Sequence, residues 1–97
     1  MYEIEFTPEA LTDLMAFRKF EQQIILTGIE TQLTHEPTIE TRNRFQMRPN
    51  EVAEWELRID RYRVFYRVAD DVQVVSIEVI GFKQGNQLFV RGKRRDL

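Results

Sequence analysis

The chain has no cysteine among its 97 residues. Disulfides, thiolate catalysis and cysteine-ligated metals are therefore excluded, and a reducing, intracellular setting is the expectation. It has one histidine, His35, beside Glu36 and Pro37. A lone histidine cannot build a metal site, so no metal is expected, and His35 reads as a helix-end or loop residue. No serine sits in a nucleophile elbow, and any histidine-dependent triad would have to run through His35. Only four glycines are present, and they form neither a phosphate loop nor a dinucleotide fingerprint, so no cofactor is expected. No apolar run approaches the ~18 residues of a membrane-spanning helix. The start, Met1-Tyr2-Glu3-Ile4-Glu5, lacks the basic and apolar regions of a signal peptide. Together these absences lead to the expectation of a cytoplasmic protein with no membrane partner.

What is present suits one soluble domain over residues 1–97, with 42% hydrophobic and 31% charged residues. The formal charge of −2 hides an asymmetry. Residues 1–40 carry eight acids against Arg18 and Lys19, a balance of −6; residues 41–97 carry eight acids against twelve bases, a balance of +4. A polyanion would find its site in the second half. Eleven of the fourteen bases are arginine, which forks onto phosphate where lysine acts as a point charge.

Tyr2, Ile4 and Phe6 alternate with Glu3 and Glu5, the pattern of a first strand. Thr7-Pro8-Glu9 reads as a helix start: a capping hydroxyl, a proline at the first helical position, and an acid at the positive end of the dipole. Apolar residues continue at helical spacing through Ala10, Leu11, Leu14 and Phe17, then Ile25, Ile29 and Leu33. One unbroken helix of ~26 residues would be ~39 Å long, against ~27 Å for strands of ~8 residues. A break near Arg18-Lys19-Phe20 and a helical hairpin are expected instead. Gly28 suggests a close helix contact. Residues 34–50 read as a long irregular segment carrying Arg42, Arg44 and Arg48.

Three strands are expected at 52–59, 62–69 and 72–80, with turns at Asp60-Arg61 and Asp70-Asp71. Trp55, Leu57, Tyr62, Val64, Tyr66, Val75, Ile77 and Val79 are assigned to the core. Gly81-Phe82-Lys83-Gln84-Gly85 is expected to end the last strand. Leu88, Phe89 and Val90 suggest a short C-terminal element, and 91–97 a flexible basic tail. The class is α+β: a four-stranded, mainly antiparallel sheet with an N-terminal helical hairpin on one face, in the order β-α-α-β-β-β.

Glu54, Glu56, Arg58, Arg61, Arg63, Arg67 and Lys83 then gather on the opposite face. Two readings stand side by side. The charges form cross-strand ion pairs on a solvated surface, each worth a fraction of a kcal/mol; or they bind a phosphodiester backbone. Phe65 among the charges, as an exposed ring that stacks on a base, and the arginine loop at 42–48 favour the second.

Trp55-Glu56-Leu57-Arg58-Ile59, then Asp60-Arg61-Tyr62-Arg63-Val64-Phe65-Tyr66-Arg67-Val68, and finally Gly81-Phe82-Lys83 resemble the RelE/ParE superfamily of bacterial toxin–antitoxin toxins. The order of elements resembles it over nearly the whole chain. For RelE-like members the resemblance implies metal-independent mRNA cleavage on the ribosome, by attack of a 2′-hydroxyl on its neighbouring phosphate, and neutralisation by a cognate antitoxin. It implies Arg58, Arg63 and Lys83 as the phosphate and charge-stabilising residues. Glu56, standing where the ribosome-dependent enzyme has a lysine, is the candidate base, with Glu54 the alternative, and Phe89 falls near a tyrosine position. Arg42, Arg44, Arg48, Arg61 and Phe65 are the expected RNA contacts. For ParE-like members the resemblance implies inhibition of DNA gyrase instead. A third implied possibility is a non-catalytic, antitoxin-binding homologue.

Overall fold

The computed structural model describes residues 1–97. The elements run β1 (Glu3–Phe6), α1 (Pro8–Met15), α2 (Lys19–Leu33), β2 (Arg44–Gln46), β3 (Trp55–Ile59), β4 (Tyr62–Ala69), β5 (Val74–Gln84), β6 (Gln87–Val90) and β7 (Lys93–Arg95). The class is α+β with two helices, but the sheet has seven strands where four are expected. Its order is β2-β3-β4-β5-β6-β7, antiparallel throughout, with β1 added in parallel to β5. The three additional strands are short. β2 lies inside the segment expected to be irregular, and β6 and β7 form a C-terminal hairpin. The tail expected to be flexible thus carries β7, paired from Val90↔Lys93 to Leu88↔Arg95. Its two-residue turn has Arg91 at φ 50° and Gly92 at φ 78°, two consecutive left-handed residues that match the twist of the flanking strands.

The helical break falls at Ala16–Arg18, close to the expected place. Thr7 caps α1, its Oγ1 accepting from Ala10 N–H at 3.1 Å. Arg18 N–H donates to the Glu21 carboxylate at 3.2 Å and starts α2. Ala10 and Leu14 of α1 and Ile25, Ile29 and Leu33 of α2 pack on Trp55, Leu57, Tyr62, Val64, Tyr66, Val75, Ile77 and Ile80. Period-two alternation in the strands and a one-sided stripe on each helix produce this core. A Cβ on Gly28 would stand 2.5 Å from Ile59 Cδ1, so the glycine does bring α2 close to β3.

Val79 does not join that core. The β4–β5 register runs Phe65↔Val79 and then Tyr66↔Ile77, which leaves Glu78 as an extra residue in β5. A bulge of one residue moves every later side chain to the other face. Val79 therefore sits with Phe65, Ala53, Leu88 and Val90 in a second cluster on the face away from the helices. β5 also runs past Gly81 to Gln84; the turn comes at Gly85, whose φ is 62°.

One edge of β5 is shared. β1 pairs with Val74–Ile77 and β6 with Phe82–Gln84. Between them the strand has no partner, and side chains fill the gap. Asp13, 2% exposed, accepts from Ile80 N–H at 3.1 Å through Oδ2. Its Oδ1 lies 2.8 Å from Arg91 Nε in the β6–β7 turn. Burial pushes the Asp13 carboxyl above its ordinary range, against the opposing pull of the Ile80 N–H, the nearby Arg91 and the more distant Arg95. The folded state thus holds this proton more tightly than the unfolded chain does. The contribution is full below the ordinary value of 3.8 and is lost as pH rises through the raised value. Urea unfolding across the acid range should show wild-type stability falling relative to Asp13→Asn as pH rises. At neutral pH, Arg91→Gln should lose about 2 kcal/mol, because a buried carboxylate is left without its cation while half of Arg91 was already in water. Asp13→Asn in the same chain should restore most of that loss.

Candidate functional site

On the face away from the helices the strands place their even-handed residues in rows. Glu56 stands opposite Phe65, and Phe65 opposite Val79; Arg58 stands opposite Arg63, and Arg63 opposite Gly81. Glu56 Oε2 lies 3.3 Å from Arg58 Nε and 3.6 Å from Arg63 Nε, so one carboxylate bridges two guanidinium groups. Arg63 Nη1 also donates to the carbonyls of Asp60 at 2.8 Å and Tyr62 at 2.9 Å. Those bonds hold its fork at the β3–β4 turn, with the side chain only 13% exposed. Burial first, and the neighbouring Arg58 second, lower the Arg63 pKa from its ordinary value, while Glu56 opposes them. Arg63 Nε has no hydrogen-bond acceptor.

Beside this cluster lies an open groove of about 370 Å³ whose lining includes Glu56, Phe65, Lys83, Leu88, Arg94 and Arg95. Lys83 has no ion-pair partner. The four residues expected to carry chemistry thus share one face: Glu56 and Lys83 line the groove, and Arg58 and Arg63 lie beside it, paired to Glu56. No group of three or more acidic or histidine side chains is arranged to hold a metal ion, and no helix is long and apolar enough to cross a membrane.

The expected RNA contacts divide. Arg42 is exposed in the loop before Asn43, whose carbonyl accepts from Arg58 N–H at 2.8 Å. Arg48 is exposed and shares a second cleft with Arg67. Arg44 is not available. It is 7% exposed, and its guanidinium donates to the carbonyls of Ile39 at 2.9 Å and Gln32 at 2.6 Å. It stands opposite Leu57, on the core face, because strand β2 turns alternate residues of the loop inward. Arg44→Ala should therefore lower stability by about 2 kcal/mol by leaving buried carbonyls unpaired, with no change in the activity of the folded fraction; urea unfolding and a concentration-normalised assay separate the two.

Arg61 also leaves the groove. Its guanidinium lies 4.7 Å over the Phe82 ring and 3.7 Å from Glu21, on the helix side. Glu21 in turn accepts from Tyr62 Oη at 2.8 Å. That bond lowers the Glu21 pKa, whereas burial, then Glu21, raises that of Tyr62. Phe65, expected as an exposed stacking ring, is 2% exposed beneath Leu88 and Val90. Phe89 is likewise on the helix side, stacked on Phe82 at 5.6 Å.

One contributor escaped the sequence reading, and a second was placed in the wrong setting. Phe45, opposite Glu56 on the groove face, carries the Arg58 guanidinium 4.4 Å above its ring. The alternation of Arg44 and Gln46 with Phe45 and Met47 was the available signal for it. Arg95 was read only as part of the basic cluster Arg91-Lys93-Arg94-Arg95, a solvated tail or, second, a flexible arm touching RNA phosphates; its place on a paired strand is what the sequence did not show.

Comparison with known proteins agrees with this architecture. A chain of the toxin–antitoxin complex RelBE2 from Mycobacterium tuberculosis superposes with a TM-score of 0.73 at 23% identity, covering 84% of this chain and 98% of that one. A chain of the archaeal RelE–RelB complex from Pyrococcus horikoshii OT3 gives 0.67 at 19% identity, with coverages of 87% and 96%. At such identities the likeness is one of fold. No curated protein matches at a significant level. Residues 4–81 match the family described as ParE toxin of type II toxin-antitoxin system, parDE. That span runs from β1 through Gly81 and takes in Glu56, Arg58 and Arg63, so by sequence as well as by fold the chain belongs to this toxin family, within the RelE/ParE superfamily.

Proposed function

We propose that this toxin is a metal-independent endoribonuclease that cleaves mRNA on the ribosome and is neutralised by a cognate antitoxin. The observation that carries the reading is convergence on one sheet face: Glu56 lies between Arg58 and Arg63 and lines an open groove together with Lys83. In the proposed step a ribose 2′-oxygen attacks the adjacent phosphorus while Glu56 accepts its proton. Arg63 and Arg58 stabilise the charge that grows on the non-bridging oxygens. Lys83 gives a proton to the departing 5′-oxygen. The products are a 2′,3′-cyclic phosphate and a 5′-hydroxyl, so no outside water or metal is consumed. Phe45 supports the site indirectly, its ring holding the Arg58 guanidinium at 4.4 Å. The solved relatives are toxin–antitoxin complexes, which supports an antitoxin partner here, and ribosome binding sets the work in the cytoplasm.

Inhibition of DNA gyrase is the second reading. The family match itself favours it, as does Glu56, which offsets the charge of two groove arginines. Inducible expression without an antitoxin, with mRNA 5′ ends and chromosomal breaks mapped in parallel, separates them. New mRNA ends bearing 5′-hydroxyls with intact DNA support the ribonuclease. DNA breaks with intact mRNA support the gyrase inhibitor. Absence of toxicity would point to a non-catalytic, antitoxin-binding homologue.

A further inference from the structure

The cations around the groove fall into two groups. Arg58 and Arg63 lie beside it and share the Glu56 carboxylate, whereas Lys83, Arg94 and Arg95 line it together with Asp96 and have no acidic partner within 4.0 Å. Two of these unpaired cations, Lys83 and Arg95, are in register. Lys83 of β5 stands opposite Leu88 of β6, and Leu88 opposite Arg95 of β7, so all three occupy one row on one face. Two strand spacings separate Lys83 from Arg95, about 10 Å between backbones, which long side chains can close from both sides. Leu88, 6% exposed, forms the apolar floor between them.

The strand that carries Arg95 is held from several directions. The paired positive φ values of Arg91 and Gly92 set its turn. Asp13 anchors that turn through Arg91. Leu88 and Val90 bury the hairpin against Phe65 and Val79. Arg95 is half-buried and lines both the 370 Å³ groove and an adjoining one. An arginine on a strand fixed in this way is preorganised, which reduces the conformational entropy lost when its fork meets a phosphate.

We propose that Arg95 is an RNA-binding residue: with Lys83 it forms a phosphate subsite at the C-terminal end of the groove, beside the Arg58–Glu56–Arg63 cluster. The proposal rests on the ribonuclease reading and extends it to a strand beyond the cluster. Its role is in binding the RNA backbone and not in the chemical step.

The test is binding of a short fluorescein-labelled 2′-O-methyl RNA, which lacks the attacking hydroxyl, measured by polarisation over a range of KCl concentrations. Each phosphate contact to a single strand contributes about 0.7 to the slope of log affinity against log salt. Arg95→Gln should weaken binding roughly tenfold, the size of one charge-assisted hydrogen bond, and reduce the slope by about 0.7. Arg95→Lys should keep the slope while losing part of the affinity. Lys19→Gln, the same charge change on α2, should alter neither. Circular dichroism and the urea midpoint confirm that each variant is folded. A wild-type slope in Arg95→Gln, alongside a reduced slope in Arg63→Ala, overturns the proposal and leaves the ribonuclease reading standing. Absence of salt-dependent RNA binding by the unaltered protein overturns this proposal, while the ribonuclease reading is decided separately by the mapped mRNA ends.

Discussion

Arg63→Ala is expected to abolish growth inhibition and to slow mRNA cleavage by about 10²–10³-fold, the range seen when one preorganised donor to a developing oxyanion is removed. Arg63 is the best-placed group for that role. Its guanidinium is tied to the Asp60 and Tyr62 carbonyls at 2.8 and 2.9 Å, so its position is set before substrate arrives. Its Nε has no hydrogen-bond acceptor of its own and faces Glu56 at 3.6 Å. A low-exposure site also strengthens its interaction with a phosphate. The fold should survive the change, because the Asp60 carbonyl lies at an exposed turn and the Tyr62 bond is only partly buried. Arg63→Lys should recover only part of the rate, since a point charge cannot reproduce a planar guanidinium held at two carbonyls through Nη1 alone. Growth curves after induction and single-turnover cleavage by the purified toxin on ribosomes are the measurements. Undiminished toxicity in folded Arg63→Ala would remove the assigned role.

Gly81→Ala is expected to cost about 3 kcal/mol, the upper end for overpacking. A Cβ there would stand 2.4 Å from the Phe89 carbonyl oxygen, 3.0 Å from Val90 Cγ2 and 3.2 Å from Leu88 Cδ1. The closest atom is backbone, so relief requires β6 to move off β5. The hairpin that carries Arg95 would move with it. Gly28→Ala is the informative contrast. Its new methyl meets the Ile59 side chain at 2.5 Å, but a flexible side-chain end can shift, and the helix gains about 1 kcal/mol in propensity. Urea unfolding should therefore rank Gly81→Ala well below Gly28→Ala. Hydrogen exchange should show the β6 amides losing protection in Gly81→Ala alone. Equal destabilisation by the two would contradict the proposed pinning of β6 through Gly81.

Where the pattern is long and one-sided, sequence reasoning reached the structure. The α1–α2 hairpin followed from apolar spacing and from a length argument. Trp55, Leu57, Tyr62, Val64 and Tyr66 fell on the core face because β3 and β4 pair without irregularity from Trp55↔Tyr66 to Ile59↔Tyr62. Short strands were the first loss. Three residues of β2 or β7 carry too little periodicity to stand out from a loop. The sites were lost for a different reason. Arg44, Arg61 and Phe65 read as exposed from local alternation or from a charged neighbourhood, and each was turned or covered by an element distant in sequence.

The sequence by itself determined the α+β class, the order of the longer elements, and the collection of Glu56, Arg58 and Arg63 on the face opposite Trp55 and Leu57. Those properties follow from periods of 2 and 3.6 within single segments, which are local. Only the tertiary structure decided which cations stay at the groove. The extra residue at Glu78 switched Val79 to the far face, the C-terminal hairpin covered Phe65, and the Lys83–Leu88–Arg95 row aligned residues from three strands. Each of these depends on which strands pair, and in what register. The energy that selects a register comes from burying whole faces against partners far along the chain, which no single segment encodes.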